Sequence, residues 1–478
     1  MWVALAKTLF PWETLEDSPS LKTIGAALKA LPDWNLLAAL RRYRGRGRDE
    51  YPVHVLWGVV VLTVLLRHTS TEATLAELRR NEALRRMIGI KSEHDVPKAW
   101  NVSRFLRVLG LPQHLELLEA MFDRMVHGLG QAVPQLGTHV AGDATGLSAR
   151  PGRAEAPGAT RLPQPSGGRK EYKDEAGKVV RVLEWFGYKL HLLVDTAAEV
   201  ALAYRVTTPN VGDNEVLPEL VEKAVANLPP VPTPASAPEA PEPGGAAAKP
   251  RRGPAFCRIK TLAYDLAADD EKVHEFLAGL GIKPVIQNRS LWRDELERVL
   301  PGHDGRSNIV YDEAGTLYCY DKTADPPVRH RMAYIGHEPA RGTIKYRCPA
   351  KHGAWCCPSD ARCNAGKTYG KTVRIKCELD PRRFPPIPRA TKQFERLYKG
   401  RTAVERVNGR IKVFWGGDDG NVTGADRFHA HIGVVMLVHI ALATLLARAS
   451  ERKGTLGTMR LSTVAQALEA RPRAACDG

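Results

Sequence analysis

Between residues 138 and 289 the chain changes its apolar period several times, and the order of those changes leaves few folds open. THVAGDATGL (138–147) alternates as a short strand. VVRVLEWFGYKLHLLVDT (179–196) and EVALAYRVTTP (199–209) follow as two more strands, with a turn at 196–199 between them. NEVLPELVEKAVANL (214–228) and DEKVHEFLAGLG (270–281) carry apolar residues at three-to-four spacing and read as helices. RIKTLAYDLAA (258–268) and KPVIQNR (283–289) read as strands. The apolar period is 2 in a half-buried strand and 3.6 in a helix, so the order is three antiparallel strands, helix, strand, helix, strand.

This is the element order of an RNase-H-like α/β domain, in which the first and fourth strands lie side by side at the sheet centre. Asp143, at the end of the first strand, and Asp265, at the end of the fourth, are then neighbours although 122 residues apart. Glu405 lies 140 residues further on, and a helix packed on the same sheet would deliver it. Three carboxylates meeting in this way raise one another's pKa unless a cation compensates them. Magnesium, a hard ion that takes oxygen ligands and shares its shell with phosphate and water, is the natural compensator, with manganese as a substitute.

The segment YKGRTAVERVNGRIK (398–412) predicts a helix with a polar and an apolar face. Counted from Tyr398, the residues Arg401, Glu405 and Lys412 fall at about 300°, 340° and 320° around a regular helix. Val404, Val407, Ile411 and Phe414 fall at about 240°, 180°, 220° and 160° and face a core. One carboxylate is thus set among two cations and a phenol, as a site handling nucleic-acid phosphate requires; a plain solvated face with intrahelical ion pairs is the bland alternative.

The same residues carry a resemblance. Tyr398, Arg401, Glu405 and Lys412, separated by two, three and six residues, match the signature of one group of bacterial insertion-sequence transposases of the DDE class. Asp143-Ala144-Thr145 resembles the family's first acidic step, and Asp265 followed by Asp269 resembles its second, although Ala268 stands where an aromatic residue is usual. GYKLHLLVDT (187–196) is similar to the family's second strand and TPNVGDN (208–214) to the loop after its third. The resemblance implies an RNase-H-like catalytic domain with a β-rich insertion, preceded by an N-terminal helical domain. It implies Asp143, Asp265 and Glu405 as catalytic, metal-binding acids, and Tyr398, Arg401 and Lys412 as DNA-binding residues. Two divalent ions would support hydrolysis at the element's ends and then attack of the freed 3′-hydroxyl on target DNA. The partners implied are double-stranded DNA, both transposon ends and target, and a second copy of the chain, giving a homodimer on DNA.

Charge agrees with such a partner. The 478 residues hold 69 Lys and Arg against 53 Asp and Glu, a formal charge of +16. That excess favours a polyanion. Seven Lys or Arg and only two Glu fall between residues 391 and 412, and RRYRGRGR (41–48) forms a second basic run. The first eighteen residues lack a secretory pattern. The apolar runs 55–66 and 432–446 fall short of a bilayer span, so no membrane partner and a cytoplasmic location are expected.

The domain organisation expected is a helical region at 1–130, including Ser103, Arg104 and Phe105, which resemble the family's DNA-end-binding region. The core follows at 131–290, interrupted by a Pro- and Ala-rich disordered loop at 228–254, and a basic Gly/Pro-rich stretch at 149–172 reads as a solvated excursion. An insertion spans 291–390, the core resumes at 391–450 with a buried helix at 429–449, and a tail ends the chain at 451–478. Within the insertion Cys348, Cys356, Cys357 and Cys363 lie close in sequence. Without a paired C-x₂-C knuckle, buried free thiols are preferred over tetrahedral zinc. Two other functions remain open: a structure-selective nuclease of the RNase H type, and a non-catalytic DNA-binding protein derived from a transposase.

Overall fold

The computed structural model describes residues 21–46, 50–150, 162–173, 178–230, 257–293, 296–301, 308–418, 422–449 and 455–469. Helical patterning before residue 133 becomes α1 (Leu21–Ala30), α2 (Trp34–Arg44), α3 (Val53–Leu65), α4 (Thr71–Arg80), α5 (Glu82–Met87), α6 (Ala99–Leu109) and α7 (Pro112–Ala132). Local chemistry sets several starts. Ser70 and Asn81 accept the free backbone N–H groups of Ala73 and Leu84 at 3.2 and 3.0 Å, and Pro112 opens α7 where no donor is needed.

The sheet follows the predicted order. Strands β1 (His139–Ser148), β2 (Ser166–Lys173), β3 (Val179–Asp195) and β4 (Val200–Thr207) precede α8 (Asp213–Asn227), β5 (Thr261–Tyr264), α9 (Glu271–Gly279) and β6 (Lys283–Ile286). β3 pairs antiparallel with β1 and β4, while β1, β5 and β6 run parallel, giving the central order β4-β3-β1-β5-β6. The fourth strand is shorter than expected, because the chain leaves it for a 3₁₀ turn at Leu266–Ala268.

Strand β2 corrects the reading of 149–172 as a solvated excursion. Its residues pair with the first half of β3, Gly168 opposite Trp185. A Cβ on Gly168 or Gly146 would meet the Trp185 ring at 2.4 or 2.6 Å. Gly168, one of the glycines that suggest a loop, is therefore there to seat an indole. Residues 151–161 of that excursion, and 231–254 of the Pro- and Ala-rich loop, lie outside the described residues.

Beyond β6 the insertion forms two small sheets. The first has order β10-β9-β8-β7, from β7 (Arg298–Val299), β8 (Ile309–Tyr311), β9 (Leu317–Asp321) and β10 (Val328–Arg331). The second has order β11-β12-β13, from β11 (Ala333–Glu338), β12 (Thr343–Arg347) and β13 (Thr372–Lys376). The short helices α10 (Pro349–Gly353) and α11 (Asp360–Asn364) sit between β12 and β13. These sheets enclose a hydrophobic cluster separate from the main core.

The chain then returns through α12 (Lys392–Lys399), α13 (Thr402–Gly409), a π-helical turn at Arg410–Phe414, α14 (Ala425–Ala447) and α15 (Leu461–Glu469). Helix α14 is apolar on every face because it has neighbours on every face: α1, α3, α6 and α7, strand β4, and α15 from the expected tail. One continuous core therefore joins the N-terminal helices to the sheet. At 23 residues α14 is longer than its apolar run suggested, and by length and composition it could cross a membrane, but most of it is buried inside the protein. His439 at its middle accepts a hydrogen bond from the Ala201 N–H at 3.1 Å, and burial holds the ring neutral, pushing its pKa down to about 3.

Candidate active site

Register places the first two acids. His139, Val140 and Ala141 of β1 lie opposite Thr261, Leu262 and Ala263 of β5. Carried two residues on, the same register sets Asp143 level with Asp265, the first residue past β5. Gly142 permits this approach, since a Cβ there would meet the buried Tyr264 ring at 2.4 Å. Asp265 caps the 3₁₀ turn, accepting the Ala267 N–H at 2.9 Å. The Asp143 side chain is only 17% exposed. Burial raises its pKa to about 6, the neighbouring Asp265 charge adds to the rise, and Arg401 opposes it.

The segment expected as one helix from Tyr398 to Lys412 is three pieces. Around Gly400 and Arg401 the backbone bonds tighten to the 3₁₀ pattern, Arg401 N–H to Tyr398 O and Val404 N–H to Arg401 O. After Gly409 it widens into the π turn. Val404, Val407 and Ile411 are buried as expected, but the wider turn shifts the register after them. Trp415 is buried, while Phe414 is half-buried and carries the Arg67 guanidinium 5.5 Å over its ring.

An ion pair orients this segment. Glu199, in the β3–β4 turn, is buried and binds Arg406 at 2.6 Å and also Arg410. Burial alone would raise the Glu199 pKa, but the hydrogen bonds from Arg406 and Arg410 hold it below the usual carboxylate value. Glu199→Gln leaves the half-buried Arg410 without its counter-charge. We expect about 2–4 kcal/mol lost in denaturant unfolding; a loss below about 0.5 kcal/mol would show that the pair contributes little.

Arg401 is the centre of the site. Its guanidinium bonds Glu405 at 2.7 Å, reaches Asp143 at 3.8 Å and lies 5.9 Å from the Tyr398 ring centroid. Tyr398 stacks on Phe394, and Glu405 is half exposed. Lys412 does not project with them. It donates to Gly146 O at 2.7 Å and pairs with Asp418 at 3.2 Å, at the far end of β1. The structure thus brings Asp143 and Asp265 level and links Asp143 to Glu405 through an arginine. In this conformation no three acidic, imidazole or thiol groups among the described residues stand close enough together to hold a metal ion.

Asp269 has a role that its sequence position did not reveal. Fully buried, it accepts from Arg289 N–H at 2.7 Å, Arg382 at 2.8 Å, Arg389 at 2.9 Å and His274 at 3.1 Å. Burial opposes the charged form, yet these donors hold its carboxyl below the usual pKa. Burial pushes Arg389 down to about 10, against the pull of Asp269. Arg382 and Arg389 come from the end of the insertion, so the cluster clamps the insertion onto the core four residues from Asp265. Arg382 and Arg389, two of the three arginines in PRRFPPIPR (381–389), were the only sequence sign of this clamp.

A family model described as Transposase DDE domain matches residues 134–441, more than half the chain, and one described as Transposase domain matches residues 13–107. The chain belongs to the DDE transposases. The family carries an RNase-H-like α/β fold, so the protein is a transposase of an insertion sequence and a metal-dependent enzyme acting on DNA. No curated protein matches the sequence. Transposases of this family generally use divalent ions, and the residues present suit one. Asp143, in the middle of β1, and Asp265, just past the end of β5, offer carboxylate oxygens on adjacent strands, and burial raises the Asp143 pKa with the Asp265 charge adding to the rise.

That pKa has a consequence for the ion-free transposase. Between about pH 4 and pH 6 the native state holds a proton on Asp143 that the unfolded chain has released. The Asp143 contribution to stability therefore falls as pH rises across this window, by about 2–3 kcal/mol, and stays level above it. In chelator, the stability difference between wild type and Asp143→Asn should show this step; a difference independent of pH from 4 to 7 would refute the assignment.

Proposed function

We propose that Asp143, Asp265 and Glu405 are the catalytic acids of this transposase and that they bind magnesium, with manganese as a substitute. The observation that carries the reading is the β1–β5 register, which levels Asp143 with Asp265, together with Arg401 spanning Asp143 and Glu405. The bound ions supply the activation of water or a 3′-hydroxyl and the stabilisation of the leaving oxygen. Arg401 holds the two carboxylates in register while the site is free, and turns to a phosphate beside the scissile bond when DNA enters. Lys412 grips a second phosphate on leaving the Gly146 carbonyl. Tyr398 hydrogen-bonds a phosphate or stacks on an extruded base.

The reaction is end recognition, strand hydrolysis to free a 3′-hydroxyl, and an in-line attack of that hydroxyl on target DNA, without a covalent protein–DNA intermediate. The helices before residue 130 contact the inverted repeats of double-stranded DNA, the core divided at 290 and 390 cuts and joins, and a homodimer acting in the cytoplasm brings two ends together. A strand-transfer assay tests this, using duplexes that carry the repeats flanking the gene. Joined products requiring a divalent ion support the proposal. Cutting of structured nucleic acid without joining favours an RNase-H-type nuclease, and binding without either reaction favours a non-catalytic DNA-binding protein.

A further inference from the structure

The insertion has little core for its size: ten buried hydrophobic side chains among the described residues serve two sheets and two one-turn helices. A core so small is commonly reinforced by a cross-link or a metal. Beside it lies a cavity of about 30 Å³, room for a single small occupant. Four cysteines line it from four different elements: Cys319 from β9, Cys348 at the end of β12, Cys357 from the loop after α10, and Cys363 from α11. The set differs from the one that sequence proximity suggested, because Cys356 is exposed and does not line the cavity, and Cys319 replaces it.

The surroundings favour sulfur as the reactive lining. Asp321 also faces the cavity, but its Oδ1 already accepts from Thr323 and Ser359, and the His330 ring packs against Trp355. The Asn364 amide donates to Cys348 Sγ at 3.7 Å and the Asn308 amide to Cys363 Sγ at 3.9 Å, as donors around a thiolate do. Helices α10 and α11 each end on an alanine in the left-handed region, Ala354 at φ 54° and Ala365 at φ 43°, a conformation disfavoured for any residue with a Cβ. Something must hold these turns. Burial pushes the Cys319 thiol up to about 12, with Cys348, Cys357 and Cys363 adding to the rise, so the four sulfurs are electrostatic neighbours.

We propose that Cys319, Cys348, Cys357 and Cys363 bind one structural zinc ion as a tetrahedral set of thiolates. Each thiol gives up its proton on binding. No three of these sulfurs stand close enough together in the structure to share an ion, so binding requires them to turn inward, drawing α10 and α11 onto β9 and β12. The ion then locks the two small sheets together. This site is separate from the magnesium-binding acids, and its test does not depend on activity.

The test is zinc content, by elemental mass spectrometry, of the full chain purified under reducing conditions with zinc supplied. The expected result is one zinc per chain, falling to background in Cys319→Ser and Cys357→Ser and unchanged in Cys356→Ser. Where a serine variant fails to fold, the wild type answers instead: cobalt exchanged into it should give the intense absorption of a tetrahedral thiolate site, and a chelator should expose four additional thiols to alkylation. Wild type without stoichiometric zinc, loss of the ion in Cys356→Ser with retention in Cys319→Ser, or a disulfide joining any two of the four would each overturn the proposal.

Discussion

Asp143→Asn should lower strand cleavage and strand transfer by about 10³-fold or more while leaving the folded transposase as stable as the wild type, or more so. The kinetic loss follows from the proposed role of Asp143, because the amide would remove a charged oxygen ligand from the ions that support phosphoryl transfer. The retained stability follows from the native environment: burial already disfavours the ionised carboxyl, and Asp265 adds a like charge. A neutral isostere relieves both effects and chiefly gives up the 3.8 Å approach of Arg401, which keeps Glu405 as its partner at 2.7 Å. Gel assays on labelled repeat duplexes and thermal unfolding of the same preparation measure the two effects. Wild-type cleavage by the variant would remove Asp143 from the chemistry. A large fall in melting temperature would show that the residue is structural.

Asp269→Asn should show the opposite pattern, a loss of about 3–5 kcal/mol of stability with the proposed catalytic acids intact. The carboxylate is fully buried, and the side chains of Arg382 and Arg389 are only 8% and 7% exposed. Removing the charge leaves two guanidinium groups in a low-dielectric pocket without their buried counter-ion, which costs more than the lost hydrogen bonds. Because the two arginines lie at the insertion's exit, local release of that segment should accompany the global loss. Faster amide exchange and proteolysis between β13 and α12 would report it. Unfolding within about 1 kcal/mol of wild type, with no change in protection there, would refute the clamp.

Much of the fold was legible because its signals are local. The element order of the core followed from where period-2 and period-3.6 patterns change, the adjacency of its first and fourth strands from the RNase-H-like architecture that this order matches, and the burial of α14 from apolar residues around its whole circumference. The apolar face of α13 was legible for the same reason. Strand β2 was not, because what makes it a strand is the Trp185 ring over Gly146 and Gly168, a contact between distant residues. Nor was the path from Tyr398 to Lys412 legible in detail. A helical projection assumes constant pitch, and the 3₁₀ joint and π turn that break it accompany the pairing of Glu199 with Arg406 and Arg410 from across the sheet.

By itself the sequence determined the family of the chain, the element order of its core and the identity of the candidate acids. Each of these is written in residue types at fixed spacing, which backbone geometry converts directly into faces and strand ends. Only the tertiary structure decided that Arg401 stands between Asp143 and Glu405, that Lys412 docks on β1, that Asp269 clamps the insertion, and which cysteines share a cavity. Those are pairings between side chains brought together by packing, and the energy of such a pairing depends on burial and distance that no linear pattern records.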